Sequence, residues 1–172
     1  MQVADSPHGY NGAIGAAWVG GGMSTGTAEW HVRVDLGPSG SRQVLIGVAR
    51  AGVALSAACP RLGPRSLSKG EAFFMDNCDH YSAFSCTGYL YNALDYPTKP
   101  CKGYPPGMPT CKSGDVVTVH LDVAKGTLAY SLNGVLFKNL TAGVKANLPL
   151  ALVASTSYNG ASVDVVGYAR AP

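Results

Sequence analysis

Residues 22–26 read Gly-Met-Ser-Thr-Gly, the G-x-S-x-G pattern that presents a nucleophilic serine in many hydrolases. That chemistry needs a strand that turns sharply into a helix, so that the serine hydroxyl stands on a strained elbow. Here the segment that follows, from Ala28 onward, alternates apolar and polar residues and predicts a strand. We therefore interpret residues 22–26 as a glycine-rich turn and not as a nucleophile.

The histidines and glutamates form no recognisable catalytic set. His31 and His120 fall on the polar faces of predicted strands, where a histidine ordinarily faces solvent or a neighbouring strand. A retaining glycosidase needs two carboxylates about 5–5.5 Å apart, and no sequence pattern brings Glu29 and Glu71 together. We expect no catalytic residues and no enzymatic activity.

Metal-ligating patterns are equally weak. The one cluster of oxygen ligands, Asp-Asn-x-Asp at residues 76–79, is more typical of a hairpin tip than of a calcium site. The cysteine spacing matches no zinc pattern, since the chain has no C-x-x-C. The sequence predicts neither a metal nor a cofactor.

Five cysteines leave two interpretations open. Cys78 and Cys86 bracket a predicted hairpin tip, and Cys101 and Cys111 bracket a loop, so each pair is a candidate disulfide with Cys59 left free. Alternatively, all five are reduced and act as small apolar residues. The odd count favours the reduced state, and with it an intracellular location over a secreted or particle-associated one. The sequon at Asn139 matters only in a secreted protein.

Composition bounds the remaining possibilities. The chain has 172 residues, enough for one domain, and we expect a single domain over residues 1–172. Charged residues make up 13% of it and the net charge is +3, with the basic residues scattered, which disfavours a nucleic-acid partner. No stretch approaches the ~20 apolar residues that span a membrane, so no membrane partner is expected. The oligomeric state is left open.

The residue usage favours strands over helices. Glutamate and glutamine occur only twice each, whereas surface helices depend on them. Asn133-Gly134 between apolar runs predicts a tight hairpin. Short alternating or apolar segments bounded by turn residues predict an all-β sandwich or barrel. The predicted strands cover residues 28–36, 43–50, 114–123, 127–132, 135–137, 148–154 and 161–166.

Two segments depart from this pattern. Residues 1–27 are glycine-rich and are interpreted as an entry arm or edge strand. Residues 95–112 carry five prolines, which exclude a central strand, and form a Pro/Cys-rich loop insertion.

The run from Gly114 to Leu140, GDVVTVHLDVAKGTLAYSLNGVLFKNL, resembles the core signature of the SPRY domain family. The signature contains a Gly-Asp, an apolar strand ending in Leu-Asp, a Thr-Leu strand and a closing Asn-Gly. The segment WHVRV at residues 30–34 resembles the first aromatic strand of the family, and IGVAR at residues 46–50 resembles the strand that follows it. The resemblance extends over about residues 29–166.

This resemblance implies a fold and a function. The family fold is a two-sheet antiparallel β-sandwich of the concanavalin-A-like jelly-roll type, and the family is typically a non-catalytic module that binds a protein or peptide through loops at one edge. Carried over by position, the ligand-binding residues are Tyr10 and Asn11, Pro60 and Arg61, and Tyr158 and Asn159. Two alternatives remain: a structural or assembly protein of a coat or particle, and a lectin-like carbohydrate-binding domain.

Overall fold

Eleven β-strands make up the regular structure of the residues that the computed structural model describes, which are 13–15, 22–38, 44–51, 81–92, 94, 102–104, 107–141, 143–145, 148–156 and 161–172. The strands are β1 (Ala13–Gly15), β2 (Thr27–Asp35), β3 (Val44–Arg50), β4 (Tyr81–Ser85), β5 (Tyr89–Asn92), β6 (Lys102–Tyr104), β7 (Val116–Asp122), β8 (Thr127–Leu132), β9 (Val135–Leu140), β10 (Leu150–Thr156) and β11 (Ser162–Ala171).

These strands form two antiparallel sheets. The six-stranded sheet has the order β1-β10-β3-β4-β5-β6, and the five-stranded sheet has the order β11-β2-β7-β8-β9. The predicted all-β sandwich is therefore confirmed. Residues 1–12 lie outside the described residues, but β1 pairs with β10 at the edge of its sheet.

The alternation read in the sequence places one face of each strand in the core. Along β2, Trp30, Val32 and Val34 are buried between more exposed neighbours, and Val117 and Val119 repeat this on β7. Because successive side chains of a strand point to opposite faces, these residues face the other sheet. The core also contains Met23, Ile46, Phe84, Leu90, Leu121, Leu128, Tyr130 and Leu150.

Aromatic side chains connect the two sheets. Phe84 of β4 packs against Phe137 of β9 with ring centroids 4.7 Å apart, and Tyr130 of β8 lies 6.3 Å from the same ring. Burial raises the pKa of Tyr130 above its ordinary value, so its hydroxyl stays protonated and donates to the Ser82 carbonyl oxygen at 2.8 Å. The Tyr130 hydroxyl and these aromatic rings thus connect β4 of one sheet with β8 and β9 of the other across the core.

The signature residues hold turns together. Asn133 and Gly134 both have positive φ, of 50° and 80°, as the two central residues of a type I′ hairpin turn require. Asp115 accepts from the Lys112 amide at 2.7 Å and from the Asn133 side-chain amide at 2.9 Å. Asp115, the aspartate of the Gly-Asp in the signature, therefore joins the start of β7 to the β8–β9 turn.

The middle of the chain differs from the sequence prediction in two places. Residues 81–85 form β4, and the hairpin turn follows at residues 86–88, so Cys86 begins the turn. The sequence predicted a hairpin tip between Cys78 and Cys86. That prediction is wrong for residues 81–85, because Phe84 faces the core and holds the segment in the sheet. Within the predicted loop at residues 95–112, Lys102–Tyr104 form a short edge strand that pairs with β5.

Candidate functional site

The strand register brings several connections together at one end of the sandwich. Asp35 at the end of β2 pairs with Ser162 at the start of β11, and Val44 at the start of β3 pairs with Thr156 at the end of β10. Leu132 and Val135 flank the β8–β9 turn at the same end. We call this the loop end. The strand ends joined by the β2–β3, β4–β5, β6–β7, β8–β9 and β10–β11 connections all lie here.

A network of hydrogen bonds fixes the backbone of the loop end. The Ser113 hydroxyl donates to Asp35 Oδ1 at 3.1 Å and accepts from the Leu36 amide at 2.9 Å. Asp35 Oδ1 also accepts from the Gly37 amide at 3.0 Å. These bonds join the exit of β2 to the entry of β7 at the rim of the five-stranded sheet.

The six ligand-binding residues expected from the resemblance, Tyr10, Asn11, Pro60, Arg61, Tyr158 and Asn159, lie outside the described residues. Two of the three segments adjoin described strands in the sequence. Asn11 precedes Ala13 by two residues, and Tyr158 follows Thr156 by two, while Ala13 and Thr156 pair directly in the sheet. The third segment, residues 60–61, belongs to the β3–β4 connection, and the two strand ends that it joins lie at the opposite end of the six-stranded sheet, where Arg50 pairs with Leu150 and Tyr81 pairs with Ala49.

A carboxylate lies between two imidazoles on the outer face of the five-stranded sheet. Glu29 Oε1 is 3.0 Å from His31 Nε2, and Glu29 Oε2 is 3.1 Å from His120 Nδ1. His31 Nδ1 is in turn 3.0 Å from the Thr118 hydroxyl. Sequence analysis placed both histidines on polar strand faces but missed this cluster. The signal was the cross-strand register, which sets Glu29 opposite His120 and His31 opposite Thr118.

The geometry of this cluster favours a surface network over catalysis. The side chains of Glu29, His31 and His120 are about two-fifths exposed (38–43%), so water solvates each group. Partly exposed pairs of this kind are worth about 0–1 kcal/mol each. The described residues contain no group of three or more His, Cys, Asp or Glu side chains arranged to hold a metal ion. The cluster is best explained as a cross-strand contact between β2 and β7.

The G-x-S-x-G segment has the structure expected of a turn. Met23 forms an isolated bridge with Leu150, its side chain is fully buried, and Ser24 is exposed beside it. The chain then enters β2, so the serine lies before a strand and not at a strand–helix elbow. This geometry lacks the nucleophile elbow that G-x-S-x-G chemistry requires.

Two further features lie at or near the loop end. Cys86 and Cys111 carry free thiols and are fully buried, whereas Cys78 and Cys101, with which the sequence paired them, lie outside the described residues. Val135 and Leu136 begin the edge strand β9 and are 70% and 62% exposed.

In the described part of the chain, no helix is long and apolar enough to cross a membrane.

Comparison with solved structures identifies the architecture. The SPRY domain of human HERC1 superposes with a TM-score of 0.58 at 17% identity, covering 91% of this chain and 82% of that one. The PSpry domain of TRIM65 gives a TM-score of 0.55 at 17% identity, with 86% and 67% covered. The chain has the SPRY fold. The resemblance read from residues 114–140 is therefore confirmed at the level of fold, while no family model and no curated protein sequence matches the chain.

Proposed function

We propose that this protein is a non-catalytic interaction module that binds a peptide or protein segment at the loop end of its SPRY-type sandwich. The observation that carries the proposal is the SPRY fold itself, because SPRY domains are generally interaction modules. The hydrogen-bonded rim at Asp35, Ser113 and Asp115 supports it, since binding residues are commonly carried on loops that a scaffold positions.

Two of the proposed contact segments extend from paired strand ends. Tyr10 and Asn11 lead into β1, and Tyr158 and Asn159 leave β10, and these two strands pair through Ala13 and Thr156. A ligand bound beside this edge would therefore contact both segments. Tyrosine is well suited to that role because it offers a large rigid surface with a polar tip. Pro60 and Arg61 are proposed as a third contact on the resemblance alone.

A peptide array probed with the purified domain tests the site. We expect Tyr158→Ala to lower affinity for captured peptides by about tenfold or more, which corresponds to ~1.4 kcal/mol. Tyr168→Ala is the matched control, because Tyr168 is partly exposed but lies on β11, six residues beyond Ser162 and therefore away from the loop end. Retention of every peptide by the Tyr158 variant would remove this residue from the site, and an empty array would count against peptide binding as a whole.

One observation favours assembly as a second function. Val135 and Leu136 expose apolar side chains on the edge strand β9, and apolar edge strands are prone to pair with other chains. Light scattering after size exclusion measures this directly. A concentration-dependent rise in mass that Leu136→Lys abolishes would support assembly, and a strict monomer at high concentration would contradict it.

A further inference from the structure

The two buried cysteines near the loop end are neighbours in space. Cys86 follows β4, and its amide donates to the Val44 carbonyl at 2.9 Å, while the Cys111 amide donates to the Cys86 carbonyl at 3.0 Å. Both side chains have no exposed surface, and the two thiols hydrogen bond to each other. The main-chain bond and the hydrogen bond between the thiols thus place the two cysteines side by side.

Other contacts in the same region hold this arrangement. The turn after Cys86 contains Gly88 with φ of 90°, where a Cβ atom would lie only 2.9 Å from the Met108 carbonyl oxygen. The strip at residues 108–110 therefore packs closely against the β4–β5 turn. Because these contacts are made by the backbone, the approach of Cys111 to Cys86 does not depend on the sulfur atoms themselves.

The pair also lies where the two sheets meet. Cys86 is attached directly to β4 in the six-stranded sheet. Three residues after Cys111, the Gly114 amide donates to the Val34 carbonyl at 2.8 Å, at the end of β2 in the five-stranded sheet. A covalent bond between the two sulfurs would therefore connect the sheets beside the network that fixes the loop end.

We propose that Cys86 and Cys111 form an intramolecular disulfide that clips the two sheets together when the chain folds in the presence of a low-molecular-weight disulfide such as oxidised glutathione. One cysteine thiolate attacks the small disulfide and releases one small thiol, and the second cysteine then displaces the other small thiol from the mixed disulfide. The two cysteines lose two protons and two electrons, and the small disulfide gains them.

This pairing replaces the local pairs suggested by the sequence, in which Cys86 was joined to Cys78 and Cys111 to Cys101. It also has a kinetic consequence. The hydrogen bond to Cys111 and burial raise the pKa of the Cys86 thiol, so the folded, reduced protein holds little thiolate and reacts slowly. The bond accordingly forms during folding or local opening, and once formed it is shielded from exchange.

The test uses the full chain with Cys59, Cys78 and Cys101 all changed to serine, which leaves only the proposed pair. After unfolding and refolding in a glutathione redox buffer, the protein is alkylated under denaturing conditions and weighed. We expect both thiols to be unreactive and the mass to be lower by two hydrogen atoms. Two reactive thiols per chain, glutathione adducts without ring closure, or disulfide-linked dimers would each overturn the proposal.

The wild-type chain provides a second measurement if the triple variant does not fold. Chymotrypsin cleavage after Phe84 and Tyr89 separates Cys86 from the other cysteines, and trypsin cleavage after Lys112 ends the segment that contains Cys111. Non-reducing digestion of the refolded protein should yield these two peptides joined, and Cys111→Ser should abolish the joined species. Recovery of Cys86 joined to Cys78, or of Cys86 only as a free thiol, would overturn the pairing.

Discussion

The hydroxyl of Tyr130 on β8 hydrogen bonds across the core to Ser82 on β4 of the other sheet. Removing this hydroxyl tests how much the bond contributes to holding the two sheets together. The side chain is fully buried, the hydroxyl donates to the Ser82 carbonyl at 2.8 Å, and it lies 3.1 Å from the Ser82 hydroxyl. Tyr130→Phe deletes only this oxygen and keeps the ring that packs near Phe137. The change therefore isolates one polar contact between sheets.

Two effects determine how far Tyr130→Phe lowers the free energy of unfolding. Loss of the hydrogen bond removes about 0.5–1.5 kcal/mol, and leaving the buried Ser82 hydroxyl with one partner fewer adds to this, for a total of about 1–3 kcal/mol. For a chain of this length, each kcal/mol lowers Tm by about 2–4 °C. Urea unfolding measures the free energy of unfolding, and Tyr89→Phe, whose side chain is partly exposed, should change it by less than about 0.5 kcal/mol.

A double-mutant cycle and a pH series identify the cause. Ser82→Ala removes the hydroxyl that would otherwise lose its partner, so Tyr130→Phe should cost about 0.5 kcal/mol less in that background. Burial raises the folded-state pKa of Tyr130 above its unfolded value of 10.0, so its contribution is fully present below pH 10 and is lost as the pH rises further. The difference between wild type and Tyr130→Phe should shrink above pH 10. An equal cost in both backgrounds, or a cost below about 0.5 kcal/mol, would refute this account.

Three further outcomes are expected. Gly134→Ala should lower the free energy of unfolding by about 1–2 kcal/mol because φ is 80° there. Gly143→Ala, at a φ of 76°, should lower it further, because the added Cβ would overlap the backbone of Leu94. Urea unfolding measures both values, and equal losses would contradict the steric explanation. Hydrogen bonds from Lys125 hold the pKa of Asp122 below 3.8, so the stability that Asp122 contributes is present above pH 3.8 and lost as the pH falls through the folded-state value. Asp122→Asn should therefore be less sensitive to acid than wild type, and parallel acid unfolding curves would argue otherwise. Asn139 is exposed on β9, so expression through a secretory pathway should add a glycan that Asn139→Gln removes, and an identical mass for both proteins would contradict this.

Local patterns predicted those parts of the fold whose contacts are local. The strand at Thr127–Leu132 has the predicted bounds because its alternation ends directly at the Asn133-Gly134 turn. The closing strand is longer than predicted, since β11 extends past residue 166 to Ala171. A bulge between Val165 and Gly167 breaks the period of two, and Gly167 leaves room for the ring of His31 on β2. The alternation of apolar and polar residues alone therefore could not predict that the strand continues past the bulge.

Contacts between distant parts of the chain could not be predicted in this way. The pairing of Glu29 with His120, the Tyr130–Ser82 bond and the approach of Cys111 to Cys86 all depend on sheet order and register. None of these residue pairs is close in the sequence. The binding residues were predicted only through the family resemblance, because loop contacts leave no periodic signal in a sequence.

The pairing of β2 with β11 has a consequence for how the protein is made. Thr27 pairs with Ala171 and Asp35 pairs with Ser162, so the strand that contains Trp30 receives one of its two neighbours only from the last segment described. Contacts of such long range slow folding, because most of the chain must be ordered before they form. During synthesis, this edge of β2 therefore stays unpaired until Ser162–Ala171 have been made, and in that interval its free backbone groups are exposed to pairing with other chains.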